Sequence, residues 1–192
     1  GFVTLGIFCL NQNGIEGSIL QMINHGIITG TLFLCIGMIY ERTHTRIIDS
    51  YGGLFKTVPI FTVFFTIFTL AAIGFPGMNA FIGEFLILSG TFKANMVIGG
   101  FSILGIVLGV VYMVWFYYRI ALNEINSKTK TQLFDLDLRE IATLIPLVIL
   151  IFFIGLQPSI LLSYIHVSVE HIIENINTIS IIDNIEFHDS IN

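Results

Sequence analysis

The chain has 192 residues, of which 55% are apolar and only 11% charged, with a net charge of −5 and a mean hydropathy of +0.89. Soluble domains carry about 25% charged residues, so the composition argues against a water-soluble globule. With 18 Phe, 18 Gly, 4 Pro and 2 Cys it also argues against a disordered linker, a collagen-like fibre and a disulfide-rich secreted module. The scattered Lys and Arg offer no footprint for nucleic acid, and an integral membrane protein in a lipid bilayer is the class that remains.

The chain opens at Gly1 inside an apolar run without a basic lead-in, which reads as the later part of something longer rather than as a signal peptide. A crossing helix needs about 20 mostly apolar residues. Residues 1–10 are too few, and Asn11-Gln12-Asn13-Gly14 reads as a turn-rich stop. Residues 17–40, 58–92, 97–118 and 141–162 each suffice. Beyond Pro158, Leu162, Ile165, Val169, Ile172, Ile173 and Ile176 recur at helical spacing, with His166, Glu170 and Glu174 on another face. That pattern predicts an amphipathic helix on the outer surface, either against a neighbouring subunit or closing its own domain. The last dozen residues show no clear period.

The expected fold is therefore all-α. It is a polytopic transmembrane helix bundle over 1–162 with four complete crossings, a partial one, and one of the four discontinuous, followed by an amphipathic tail over 163–192. Charge supports this topology. Arg42, Arg46, Lys56, Arg119, Lys128, Lys130 and Arg139 all fall in connections on one side, as positive residues on a cytoplasmic or matrix face do. Lys93 falls opposite, with Glu16 and the tail acids Glu170, Glu174, Asp183, Glu186 and Asp189.

The crossing over 58–92, run on to Lys93 as one straight helix, would be about 54 Å long against a hydrocarbon core of ~30 Å. Gly74-Phe75-Pro76-Gly77-Met78-Asn79 predicts where it breaks: Pro76 lacks a backbone donor, and Gly74 and Gly77 permit conformations that other residues avoid. Irregular backbone at membrane depth persists only where protein or water satisfies it, so the break marks a polar interior path.

About two turns later stands Glu84, the only formal charge between Lys56 and Lys93. A carboxylate there must be protonated, paired or hydrated, and intramembrane acids are rare and usually functional. Glu84 is the first candidate for proton handling; the alternative is a structural acid locked in one hydrogen-bonded state. His25, about two turns into its crossing, is the second candidate for a proton relay, the alternative being a neutral histidine bonded to a carbonyl. Thr29 and Thr31 follow it and either extend a hydrogen-bonded chain or cap local carbonyls. Gly26-x-x-x-Gly30 and Gly105-x-x-x-Gly109 predict close helix packing.

No metal site is expected. His44 sits in a charged loop, His166 and His171 are off a common helix face, His188 is in the tail, and Cys9 and Cys35 lack ligand spacing for zinc, haem or iron–sulfur clusters. The two cysteines read as small buried hydrophobes.

Two blocks carry a resemblance. One runs through Asn24-His25-Gly26, the stretch from Leu32 to Arg46 (LFLCIGMIYERTHTR) and Tyr51-Gly52-Gly53-Leu54. The other runs from Leu70 to Gly77 (LAAIGFPG) and from Phe81 to Leu88 (FIGEFLIL). Together they resemble the NuoM-type antiporter-like membrane subunits of respiratory complex I, the NADH dehydrogenase subunit 4 family. The likeness extends from Gly1 to about Val169. It implies the second half of the tenth through the fourteenth of fourteen crossings, with the break in the twelfth, Glu84 as the family's intramembrane glutamate and His25 as the histidine of its eleventh helix. The family's lysines of the seventh and eighth crossings and the glutamate of its fifth have no counterpart here, so the resemblance implies a fragment or a subunit split into two pieces.

On this resemblance the chain is a subunit of NADH:ubiquinone reductase that carries the exit-side part of a proton path. NADH, flavin, iron–sulfur clusters and quinone are expected on other subunits and no cofactor on this one. Partners are other membrane-arm subunits, including a separate N-terminal half. The abundance of Ile, Phe and Asn suggests an AT-rich genome and a mitochondrial inner membrane, with a bacterial plasma membrane as the alternative. Two other readings stand beside it: a subunit of an Mrp-type cation/proton antiporter, and a purely structural piece of the membrane arm.

Overall fold

The computed structural model describes residues 1–124 and 133–189. Lys128, Lys130 and residues 190–192 of the expected tail lie outside the described residues, as do the side chains over 179–189, which include Asp183, Glu186, His188 and Asp189. Every described regular element is helical. Among the described residues three helices are long and apolar enough to cross a membrane, spanning Gln12–Thr43, Met96–Leu122 and Leu138–Leu156, with a shorter apolar helix over Pro59–Ala72.

Helix α1 covers Phe2–Phe8 and α2 covers Gln12–Thr43. The first helix ends ahead of the polar run, at Phe8, and most of that run belongs to the second. Leu10 turns the chain with φ 48°, the extended Asn11 accepts from Gly14 N at 2.9 Å, and Gln12 to Gly14 are already the first turn of α2. At 32 residues α2 is about 48 Å long, well beyond the 17–40 expected, and ends where His44 takes a left-handed conformation.

A short α3 (Leu54–Thr57) leads into α4 (Pro59–Ala72), whose first-turn amides of Ile60 and Phe61 both donate to the Asp135 carboxylate. Helix α5 (Asn79–Ala94) follows the break and α6 (Met96–Tyr117) ends in a π turn over Tyr118–Leu122. Helix α7 (Leu138–Leu156) opens with a capping box between Asp137 and Glu140. It stops at Gln157, earlier than the expected 162, because Pro158 disfavours helical backbone in the residue before it; Pro158 then opens α8 (Pro158–Asp189). The backbone of α8 is helical into the stretch that shows no sequence period.

The α2–α5 contact organises the molecule. The two helices run antiparallel and meet through glycines: a Cβ on Gly90 would sit 2.7 Å from Gly14 Cα, one on Gly17 2.8 Å from Ile87 N, and one on Gly83 3.1 Å from Gln21 Cβ. Gly26 and Gly30 have nothing within 4 Å, and Gly105 only Phe2 Cε2 at 3.9 Å, so the glycine spacings expected to mark packing are not where this chain's helices touch. The aromatic core lies between α2, α4 and α7, with Phe61, Phe65 and Phe68 of α4 buried beside Cys35, Leu144 and Ile151. Of α6 only Gly99 is buried.

Polar contacts gather at the two ends. At one, Arg42 donates to Glu140 at 2.6 and 2.7 Å, to the Phe134 carbonyl at 2.8 Å and to the Asp135 carbonyl at 3.2 Å, while Arg119 pairs with Asp49. At the other, His166 Nδ1 of α8 lies 2.6 Å from Oε1 of buried Glu16, and Val169 is buried. The tail thus packs on its own α2, with Leu162, Ile165, Val169, Ile173 and Ile176 at least partly covered and Ile172 exposed.

Gly155 of α7 abuts the break between α4 and α5. A Cβ there would lie 2.6 Å from the Met78 carbonyl carbon and 2.9 Å from Asn79 N. Gly155→Ala is expected to destabilise the bundle by about 1–3 kcal/mol, whereas Gly26→Ala, on an open helix face, leaves stability unchanged or slightly improved. Thermal unfolding of the two purified variants, followed by exposure of buried cysteine, measures the contrast.

Candidate functional site

Helix α4 ends at Ala72 and α5 begins at Asn79. In between the backbone closes on itself: Gly74 N donates to Ala71 O at 3.2 Å, Phe75 N to Leu70 O at 3.1 Å and Met78 N to Phe75 O at 2.9 Å. Gly74 and Gly77 have φ of 67° and 90°, values that strain any other side chain, and Pro76 needs no acceptor.

Glu84 stands in the second turn of α5. Helical side chains lean towards the helix N-terminus, so its carboxyl reaches back to the break. A Cβ on Gly74 would overlap Oε2 of Glu84 and lie 3.2 Å from its carboxyl carbon. The absence of a side chain at 74 is thus what makes room for the acid. Glu84 is partly buried and lines a cavity of about 180 Å³ with Phe2, Ile73, Gly105, Ile106, Gly109 and Tyr112. That volume admits water. Gly105 and Gly109, read from their spacing as packing residues, form part of its wall.

Three amides complete the site. Gln21 Nε2 of α2 donates to Glu84 Oε1 at 3.4 Å, while Gln21 Oε1 is buried without a hydrogen-bond partner among the described residues. One turn along, buried Asn24 donates to the Asn79 carbonyl at 2.7 Å, and Asn79 Nδ2 donates back to Asn24 Oδ1 at 3.2 Å. Asn79 Oδ1 is likewise buried and has no hydrogen-bond partner among the described residues. Asn24 therefore ties α2 to the residue at which α5 begins.

His25 is not brought to Glu84. One residue past Asn24 and so about 100° around the helix, it is exposed and bonds Thr29 Oγ1 at 3.3 Å from Nδ1. Thr31 is buried and donates to the Ile28 carbonyl at 2.7 Å, a local cap. Among the described residues no Lys, Arg or His forms an ion pair with Glu84. Gln21, Asn24 and Asn79 were not singled out from the sequence as site residues. Their signal was present in two amides at i and i+3 inside an apolar crossing and a third two residues after a Pro-Gly pair.

A family described as NADH:quinone oxidoreductase/Mrp antiporter, transmembrane, matches residues 1–111. The chain is 42% identical over 175 residues, 91% of its length, to NADH-quinone oxidoreductase subunit M of Rhodobacter capsulatus. It is 45% identical over 177 residues, 92% of its length, to NADH-ubiquinone oxidoreductase chain 4 of Chondrus crispus. It spans 34% and 36% of those two proteins, about a third of each.

Among solved structures, a chain of respiratory complex I from Thermus thermophilus with bound NADH superposes with TM-score 0.85 at 28% identity, covering 90% of this chain and 36% of that one. A chain of the Mrp complex from Dietzia sp. DQ12-45-1b superposes with TM-score 0.72 at 19% identity over 84% of this chain and 38% of that one, a likeness of fold alone. The resemblance carried by residues 24–54 and 70–88 holds, and with more than half of its length matched the chain belongs to the NADH:quinone oxidoreductase/Mrp antiporter transmembrane family.

Proposed function

We propose that this chain is a multi-pass segment of the membrane arm of NADH:ubiquinone oxidoreductase and carries the exit-side part of a proton path through Glu84. The observation that carries the proposal is the placement of Glu84: a lone carboxyl lying against a break in its own helix pair, facing a cavity that admits water and held by an amide rather than by a cation. A carboxyl in that setting can take a proton from one side and release it to the other without leaving a fixed ion pair.

Gly74, Pro76 and Gly77 keep helix from filling the space above it. His25, with Thr29 on the exposed side of α2, serves as a relay towards a neighbouring segment. The redox groups, NADH, flavin, iron–sulfur clusters and quinone, belong to other subunits, as does a lysine that exchanges protons with Glu84. Further membrane-arm subunits, one of them a separate N-terminal half, cover the open face of α6. The mitochondrial inner membrane is the proposed location. The fold shared with the Mrp complex supports a second reading as a cation/proton antiporter subunit; the 42–45% identity to named NADH oxidoreductase subunits favours the first.

In the assembled complex reconstituted into vesicles, Glu84→Gln is expected to cut NADH-driven proton uptake by at least about tenfold, an added barrier of ~1.4 kcal/mol or more, while assembly is retained. Unchanged proton uptake in that variant removes the assignment. Sodium-dependent transport without NADH oxidation would instead select the antiporter reading. Gly105→Leu, which fills the cavity beside Glu84 from α6, is expected to slow proton uptake to a similar degree with Glu84 still in place.

A further inference from the structure

Gln21 faces Glu84 with an amide of which only one side is used. Its nitrogen donates to Glu84 Oε1 at 3.4 Å, and its oxygen is buried with no hydrogen-bond partner among the described residues. Buried side-chain oxygens are rarely left so, because a lone pair removed from water and given no donor destabilises the folded chain. The residue is held in place by the helix contact itself: the Cα and Cβ of Gln21 lie 3.2 and 3.1 Å from where Gly83 would carry a side chain. Gln21 cannot retreat from the acid, nor can any residue larger than glycine at 83 come between them.

An amide is chemically two-faced. Its NH2 donates to a carboxylate, and its carbonyl accepts from a carboxylic acid. A half-turn about the last side-chain torsion of Gln21 exchanges the two, placing Oε1 where Nε2 stands, 3.4 Å from Glu84 Oε1. The ionised acid has a donor in one orientation; the protonated acid gives its O–H to Oε1 in the other.

We propose that Gln21 is a positioning residue for Glu84, an amide switch that supplies a hydrogen-bond partner to both protonation states and so keeps the carboxyl aimed at the cavity throughout a proton transfer. The inference rests on the proton-handling reading of Glu84 and adds the group that acts on it. An amide suits this task better than a cation. A lysine fixed at position 21 would hold the ionised form alone, and an apolar residue would hold neither.

Infrared difference spectroscopy on the intact complex tests it, with proton uptake measured on the same preparations. Glu84→Gln identifies the carboxylic C=O band and the uptake that belong to Glu84; if that variant loses neither, the reading of Glu84 fails and this inference with it. Gln21→Met keeps the side chain's length and removes its polarity. The expected result is a Glu84 band moved to higher wavenumber, as for a carboxylic acid without a hydrogen-bond acceptor, and proton uptake slowed about tenfold, the effect of one hydrogen bond. Gln21→Asn, one methylene too short to reach, is expected to move the band in the same direction and covers the case in which Gln21→Met fails to assemble. A Glu84 band that is lost in Glu84→Gln but unmoved in the Gln21 variants overturns the amide switch and leaves the role of Glu84 standing.

Discussion

The rest of the structure depends on how a broken backbone is satisfied away from water. Six residues between α4 and α5 are non-helical, and in a low-dielectric surrounding their free amides and carbonyls have only protein or enclosed water to turn to. Here Gly74, Phe75 and Met78 close the turn with short-range backbone bonds, while Asn24 reaches across from α2 to the Asn79 carbonyl at the start of α5 and Gly155 of α7 packs against Met78 and Asn79. No single one of these suffices. Without Asn24 the start of α5 has no tie to α2, and without a glycine at 155 the third helix cannot approach.

Close approach also sets the chemistry. Gln and Asn side chains are short, and they bridge two helices only where the helices nearly touch. The antiparallel register that seats Gly14 against Gly90 and Gly17 against Ile87 carries on to set Gln21 beside Gly83 and Glu84 and Asn24 beside Asn79. Packing and polar pairing are one arrangement seen at successive turns. Residues that look purely structural, such as Gly83, therefore govern which polar group meets the acid.

Much of this was legible in the sequence, for a definite reason. Pro76 between two glycines is a local statement about backbone, and a single charge in an apolar stretch is a local statement about solvation; neither needs a partner to be read. Contacts between helices do need one. Gly26 and Gly30 have the spacing of a packing motif yet sit on an open face, while Gly14, Gly17, Gly83 and Gly90, which form the contact, are recognisable only once the register of α2 against α5 is known. The placing of His25 is hidden for the same reason: its identity suits a relay, and only the helix register shows that a step of one residue from Asn24 turns it to the exposed side of α2, away from Glu84. Helix ends were misjudged where caps decided them, at Asn11, whose side chain starts α2 earlier than hydropathy suggests, and at Gln157, where a proline divides what reads as continuous apolar sequence.

The distribution of charge along the bundle shows why the acid in the middle matters. At one end Arg42 is bound to Glu140 and to three backbone carbonyls, and Asp135 caps α4; at the other Glu16 is bound to His166 of the tail. These pairs belong near the headgroups, where ions are tolerated, and they fix the helices relative to one another. Between them the described contacts that cross from α2 to α5 use neutral amides, which can re-pair without stranding a charge. A group that changes its charge at this level disturbs its surroundings far more than one at either end, because there is less solvent to screen it. Glu84 is the carboxyl that α5 holds at that level, and it touches an amide of α2, the cavity walled by α6 and the turn after α4 at once, so any change in its charge would act on all three.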